Sequence, residues 1–271
     1  FERFEGFSEA MQRFVDRDLD VYVTELDVRI LSEADLGVQA DVYEQVVSRC
    51  LMQPRCRATQ IWGLNDFYSW QPFFSPLPFD DDFRVKPAYF GLQRALMKQP
   101  LHPERCEGAS GEGTRVSRGT VYAERAGDPW TLDCGAVSLE GGFSSLAVRY
   151  RNPSTGLVEL ELRADGVPLV TVPLEPTRVV DEVDYRTVRV EIPPTGGVPE
   201  LSLALGAAAD GADVGVDALL FGEPSGPLPP PDADRGSPGS GSSGGGSATF
   251  WGLVLLGAIG LGCRPGGRRP S

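Results

Sequence analysis

The chain has 271 residues, enough for two domains, and carries 25 Lys and Arg against 38 Asp and Glu, a formal net charge of −13. Its cations are few and scattered, so a phosphate-binding surface and a nucleic-acid partner are not expected; a neutral polymer such as a polysaccharide is compatible with an acidic surface. There is one histidine, His102, and no Cys-x-x-Cys among the five cysteines, which argues against a zinc site.

The chain does not begin with Met, and Phe1 enters directly into a helical pattern, so the sequence is expected to start inside a longer gene. Phe4, Phe7, Met11, Phe14 and Val15 recur at helical spacing. Asp18-Leu19-Asp20 breaks that pattern, and Val21-Tyr-Val-Thr-Glu-Leu26 reads as a buried strand. Ala40 to Met52 returns to a helix with Val42, Val46, Val47 and Cys50 on one stripe. Thr59 to Leu64 reads as a second buried strand, and Pro87 suits the first turn of a helix carrying Tyr89, Phe90, Leu92, Leu96 and Met97. This order is α/β with parallel strands. Two strands cannot close such a domain, because a parallel sheet needs further strands and cover on both faces. Residues 1–100 are therefore expected to be a slice of a larger fold.

Residues 101–118 are polar and glycine-rich and read as a linker. From 119 to 222 short strands follow one another: Leu146–Tyr150, Val158–Arg163, Val167–Val172 after the turn Asp165-Gly166, Thr187–Ile192 and Leu201–Leu205. Regular short strands between Gly and Pro turns predict an all-β sandwich. Residues 223–247 are a Pro/Gly/Ser linker. Residues 248–271 hold an uncharged apolar run ending at Cys263, followed by Arg264, Arg268 and Arg269. The run is slightly shorter than the ~20 residues of a spanning helix, and the arginines behind it predict a membrane or sorting tail. A Cys50–Cys56 disulfide would suit an oxidising compartment, with buried thiols as the plainer alternative, and Cys106 with Cys134 is a second, less marked pair.

Two segments carry candidate chemistry. Glu25, near the C-terminal end of a buried strand, stands where a (β/α)8 barrel presents its catalytic groups, and a carboxylate there can attack an anomeric carbon. Asp27 shares its parity and could orient a neighbour. Taken alone, the pentapeptide Val23–Asp27 fits a solvated carboxylate as well. Trp62 and Trp70, at a strand-to-loop exit, have ring faces that can stack on sugars; ordinary core aromatics are the equal alternative.

Together these segments resemble glycoside hydrolase family 10. The resemblance rests on Thr24-Glu25-Leu26-Asp27-Val28, on Ile61-Trp-Gly-Leu-Asn-Asp66-x-Tyr68-Ser-Trp70, on Phe79-Asp80, on Lys86-Pro-Ala-Tyr89, and on the Cys50–Cys56 pair. It covers residues 1 to about 98. It implies the last strands and helices of a TIM barrel and a retaining endo-1,4-β-xylanase acting on xylan or a related β-1,4-linked polysaccharide, with no catalytic cofactor. Glu25 matches the family's nucleophile, Asp27 the Asp that supports it through a His on strand 6, and Trp62 and Trp70 the aromatics walling the sugar subsite beside the scissile bond. Asn65 replaces the more usual Thr. The family's acid/base Glu, in an Asn-Glu motif on strand 4, and the strand-6 His lie in strands that these residues do not include. Asp80, Asp81 and Asp82 read as a solvated turn and not as a substitute, so this chain alone is expected not to turn over xylan.

In the β-rich part, Val121-Tyr-Ala-Glu124, the strand Leu146–Tyr150 and the late Val216-Asp-Ala-Leu-Leu-Phe221 resemble carbohydrate-binding modules of the galactose-binding-like sandwich class. That resemblance implies a structural calcium held by Glu124 and Asp217, with surface carboxylates as the alternative, and sugar stacking by Trp130 and Tyr185, with core aromatics as the alternative. The tail resembles C-terminal sorting tails of bacterial surface proteins, such as those of myxobacteria, although Cys263 follows the apolar run instead of preceding it. The expectation is a secreted or cell-surface bacterial xylanase, monomeric and held at the membrane by its tail. The alternative is a non-catalytic surface protein that binds polysaccharide and keeps a remnant of a barrel.

Overall fold

The computed structural model describes residues 4–222 except 112, 140, 141, 180, 181 and 184. The expected linker 223–247 and tail 248–271 lie outside the described residues. The described residues fall within one compact unit, Phe1–Ala233. Among them no helix is long and apolar enough to cross a membrane.

The N-terminal part alternates helix and strand as its patterning predicts: α1 (Glu5–Val15), β1 (Val21–Leu26), α2 (Leu36–Met52), β2 (Cys56–Ile61) and α3 (Pro87–Leu96). β1 and β2 form a two-stranded parallel sheet, with Val23 opposite Thr59 and Leu26 opposite Ile61. One face of that sheet is covered. Leu26 packs with Tyr43, Val46 and Val47 of α2 and Ala88 and Ala95 of α3, and Val23, Val28 and Ile61 join them. Gly91 lets α3 approach α2 closely, since a side chain there would collide with the Ala40 carbonyl. On the opposite face Tyr22 is 59 % exposed, and Thr24, Glu25, Ala58 and Gln60 are also exposed. This is one side of a barrel segment: parallel strands with helices outside. Cys50 and Cys56 form the expected disulfide at the start of β2.

The sandwich pairs two antiparallel sheets. Their strands are β3 (Gln99–Leu101), β4 (Thr114–Ser117), β5 (Thr120–Ala123), β6 (Trp130–Ala136), β7 (Phe143–Arg151), β8 (Val158–Ala164), β9 (Val167–Leu174), β12 (Arg186–Thr195), β13 (Glu200–Leu205) and β14 (Gly215–Gly222). A small separate hairpin pairs β10 (Arg178–Val179) with β11 (Glu182–Val183). One sheet runs β12-β7-β14-β5-β4, with β3 also on β14, and the other runs β6-β13-β8-β9. The β8–β9 turn uses Asp165 and Gly166 at φ 50° and 76°, the left-handed pair that a two-residue hairpin demands. Phe143, Leu146, Val148, Val216, Leu219 and Phe221 point inward to meet Leu160, Leu162, Leu201 and Leu203 of the facing sheet.

The stretch expected as a linker, 101–118, is built into this sandwich. β3 pairs with β14, with Leu101 opposite Leu219, β4 pairs with β5, and Cys106 is disulfide-bonded to Cys134 of β6. Its polar, glycine-rich composition hid strands of three and four residues, too short to show a period.

β7 and β14 are buried on both faces. Their outer face meets the barrel segment: Ala147, Ala218 and Leu220 pack with Met52 of α2. The polar groups trapped at this joint are paired with one another. Arg149 of β7 forms a buried ion pair with Asp217 of β14 and donates from Nη2 to Gln12 Oε1 of α1 at 2.8 Å, and that oxygen also accepts from Gln53 Nε2 at 3.1 Å. Arg49 Nη1 donates to Thr187 Oγ1 of β12 at 3.0 Å. Within the barrel segment, Lys98 Nζ donates to Glu44 Oε1 at 2.6 Å and to Ser48 Oγ at 3.0 Å. Burying a charge is tolerated only when it is paired and hydrogen-bonded.

Two predictions follow from the joint. Replacing Arg149 by Ala strands the Asp217 carboxyl in the interior, so the chain loses ~3–5 kcal/mol, read by denaturant unfolding; a loss below ~1 kcal/mol contradicts this packing. His102 is 8 % exposed, and burial, aided by the Arg105 charge, lowers its imidazole from 6.5 to about 4. The unfolded chain therefore binds a proton at higher pH than the folded chain. The stability from neutral His102 is present above pH 6.5 and is lost as the pH falls toward 4, ~3 kcal/mol in all. His102→Gln flattens the stability–pH curve across that window, and an unchanged slope refutes the assignment.

Candidate functional site

The site candidates gather at the C-terminal end of β1. The pairing of β1 with β2 is irregular between Val23 and Leu26, and both Thr24 and Glu25 fall on the exposed face while Leu26 is buried. Glu25 is thus exposed, one residue before the strand ends. Pairing continues past the strand, for Trp62 N–H donates to the Leu26 carbonyl at 3.0 Å. Trp62 leaves β2 beside the end of β1 and is 42 % exposed.

Gly63 follows at φ +126°, and a Cβ there would lie 2.8 Å from Leu77 Cδ1; only glycine accepts both the angle and the contact. The chain then turns through a 3-10 turn, Asp66–Tyr68, to Trp70. The Trp70 indole N–H donates to Asp27 Oδ2 at 2.6 Å. Asp27, just past the end of β1, therefore fixes the second tryptophan, whose ring is 64 % exposed. The structure brings Asp27 and Trp70 into direct contact, and a backbone bond brings Trp62 to the same strand end.

The loop between β2 and α3 is held by a buried ion pair that the sequence reading did not single out. Lys86 Nζ donates to Asp66 Oδ2 at 2.8 Å and to the Ser75 carbonyl at 2.6 Å. The other Asp66 oxygen, Oδ1, accepts from Leu77 N–H at 2.8 Å. Burial pushes the Lys86 ammonium down, against the pull of Asp66. From α2, Gln39 Nε2 donates to the Val28 and Ser75 carbonyls at 2.7 and 2.8 Å, and Tyr43 donates to the Pro76 carbonyl at 2.8 Å. The signal for these residues is in the sequence, since Asp66 lies in the stretch Ile61–Trp70 and Lys86 opens Lys86-Pro-Ala-Tyr89, but their partnership is tertiary. Asp80, Asp81 and Asp82 form the exposed turn that was expected: Asp80 Oδ1 accepts from Asp82 and Arg84 N–H at 2.9 and 2.8 Å, and Asp82 pairs with Arg84.

The candidates on the sandwich fare differently. Trp130 is 3 % exposed and part of the inter-sheet core, so its ring has no free face for a sugar; the strand that begins at Trp130 places it inward, opposite Leu205 of β13. Tyr185 is half-buried. Its hydroxyl lies 2.7 Å from Thr120 Oγ1 and 3.2 Å from the Tyr122 hydroxyl, and the Arg149 guanidinium sits over its ring, 4.5 Å from the centroid. Burial pushes its phenol well up. Tyr185 is thus engaged in the Arg149 network. Asp217 is buried; its Oδ2 is taken by Arg149, and burial raises its carboxyl while Arg149 pulls it back. Glu124 is exposed. Among the described residues no group of three or more His, Cys, Asp or Glu is placed to hold a metal, and the cation beside Asp217 is a guanidinium.

Among curated proteins, Endo-1,4-beta-xylanase B of Thermotoga neapolitana is 36 % identical over 107 residues, which cover 36 % of this chain and 31 % of that protein. Endo-1,4-beta-xylanase 2 of Aureobasidium pullulans is 36 % identical over 95 residues, covering 32 % of this chain and 26 % of that protein. The chain thus spans about a third or less of the length of these curated relatives. Among solved structures, native xylanase 10B from Thermotoga maritima aligns at 35 % identity over 34 % of this chain and 32 % of its own, with a TM-score of 0.33. The module CsCBM6-3 from Clostridium stercorarium, solved with cellobiose, aligns at 18 % identity over 46 % of this chain and 94 % of its own, with a TM-score of 0.38. Residues 2–95, which hold Glu25, Asp27, Trp62 and Trp70, match the model of glycosyl hydrolase family 10.

Proposed function

We propose that this chain is part of a retaining endo-1,4-β-xylanase and that Glu25 is its nucleophile. One observation carries the reading: an exposed carboxylate at the C-terminal end of a parallel strand, beside two exposed tryptophans, within the stretch that matches the hydrolase family. The C-terminal ends of parallel strands are where barrel enzymes place their chemistry.

The roles follow from the chemistry of retention. The Glu25 carboxylate attacks the anomeric carbon as the bond to the leaving sugar breaks, and a second carboxyl protonates the departing oxygen. The resulting glycosyl ester is then opened by water, which that second carboxyl deprotonates, and Glu25 is released. In this reading the second carboxyl comes from another part of the barrel. Trp62 and Trp70 wall the sugar bound at the anomeric centre, with ring faces against its apolar faces. Asp27 holds the Trp70 indole in place, so the wall is tied to the end of the strand that carries the nucleophile. Xylan or a related β-1,4-linked polysaccharide is the proposed substrate.

Export belongs to the same proposal. Two disulfides, Cys50–Cys56 and Cys106–Cys134, support an oxidising compartment, and the apolar run followed by arginines in residues 248–271 supports an anchor there.

The test is Glu25→Ala in the protein carrying the complete barrel. Xylan turnover falls by about 10⁴-fold, the scale seen when one member of a catalytic unit is removed. Added azide restores product as the glycosyl azide of inverted configuration, because the small anion fills the space of the lost carboxylate. Turnover that survives the substitution refutes the assignment.

A further inference from the structure

We propose that Phe67, Tyr68 and Phe83 form a second sugar-stacking platform, outside the Trp62–Trp70 wall, that takes the apolar ring faces of a β-1,4-linked polysaccharide. The proposal rests on the xylan reading above and adds a binding site to it.

The three residues are exposed, Phe67 at 62 %, Tyr68 at 76 % and Phe83 at 54 %. Single exposed apolar residues need no explanation, but these three meet. The Phe67 and Tyr68 rings lie edge to face with centroids 5.0 Å apart, and the Tyr68 and Phe83 centroids are 6.5 Å apart. They come from two separate turns that a single buried residue clamps together. Asn65, 1 % exposed, accepts from Tyr68 N–H at 3.3 Å and donates from Nδ2 to the Asp81 carbonyl at 3.4 Å.

The second turn holds Phe83 in a demanding backbone. Its φ is +61°, a left-handed conformation that is a genuine outlier for a bulky side chain and that glycine adopts freely. Asp80 Oδ1 fixes that turn by accepting from Asp82 and Arg84 N–H. An aromatic ring kept at a position suited to glycine, and then left in solvent, is not accounted for by core packing. Strained residues of this kind cluster at ligand clamps. The rim is polar: Asp82 and Arg84 pair at 3.0 Å with side chains 67 % and 71 % exposed, suited to sugar hydroxyls. Tyr68 and Trp70 lie two residues apart on one loop, and Asp27 anchors the Trp70 indole. The wall and the platform thus share one loop, and a neutral chain of sugar rings suits bare aromatic faces with a charged rim.

The test is affinity electrophoresis of the full chain in native gels containing soluble xylan. Four proteins are compared: the native chain, Phe83→Gly, the double variant Phe67→Ala/Tyr68→Ala, and Trp70→Ala. Phe83→Gly removes the ring and relaxes the backbone, so its thermal melting is no lower than native and a loss of binding is not a loss of fold. The proposal expects xylan to retard both platform variants about tenfold less than the native chain, the scale of one or two lost aromatic contacts. Native retardation in either platform variant overturns the platform; if Trp70→Ala then loses retardation, the xylan reading stands without it. No retardation of the native chain by xylan or by a soluble cellulose derivative overturns the platform, while the xylanase reading is decided separately by Glu25→Ala in the complete barrel.

Discussion

The candidate site depends on one buried ion pair, Lys86 with Asp66. Residues between β2 and α3 have little regular structure to hold them beyond two short 3-10 turns; among the described residues the strand-like pairing there is that of Phe79 with Asn65 and Val85. Lys86 gathers this loop by reaching Asp66 on one side and the Ser75 carbonyl on the other, while Asp66 uses its second oxygen on Leu77 N–H. The pair draws together the start, the middle and the end of the loop. An ammonium taken out of water needs such compensation, which is why burial lowers its proton affinity even with Asp66 beside it. With the loop drawn in, Trp62 and Trp70 stand at the end of β1 and the Asn65 clamp sets the neighbouring rings.

A second constraint shapes the molecule beyond the site. β7 and β14 cover the sandwich core with one face and α2 with the other. A strand buried on both faces ordinarily carries apolar residues throughout, yet Arg149 and Asp217 sit in the middle of these two. Each is the other's partner, and Gln12 of α1 completes the set. This polar group sits between barrel segment and sandwich, so either part without the other would expose it. The sandwich is thus joined to the barrel segment by packing as well as by chain connectivity, and β3 and the Cys106–Cys134 bridge leave little of the intervening chain free.

How much of this was legible in the sequence follows the range of the interactions. Val21–Leu26 and Ala40–Met52 announce themselves by β-branched content and by helical stripe, and both elements form. The second strand forms at Cys56–Ile61, three residues earlier than its apolar run suggests, because the Cys50–Cys56 bridge and pairing with Val21 start it. The turn Asp165-Gly166 carries its own chemistry and needs no tertiary help. Alternation in Leu146–Tyr150 marks a strand but cannot say that Ala147 and Arg149 face a helix and not solvent. The sequence leaves Trp130 equally a sugar-stacking or a core aromatic, and the pairing of β6 with β13 places it in the core. Glu25, Asp27, Trp62 and Trp70 stand out as candidates through motif order and spacing. The hydrogen bond from Trp70 to Asp27 joins residues 43 positions apart, and no local pattern encodes it.

The account stands or falls on the chemical identity of the nucleophile. The most direct measurement is mass spectrometry of the protein with its complete barrel after reaction with a 2-deoxy-2-fluoroxylobioside bearing a good leaving group. Such a sugar forms the glycosyl ester and releases it slowly, so the label remains on the attacking residue. The account predicts one fluoroxylobiosyl adduct on the peptide containing Glu25. An adduct on another carboxylate, with Glu25 unmodified, would contradict it.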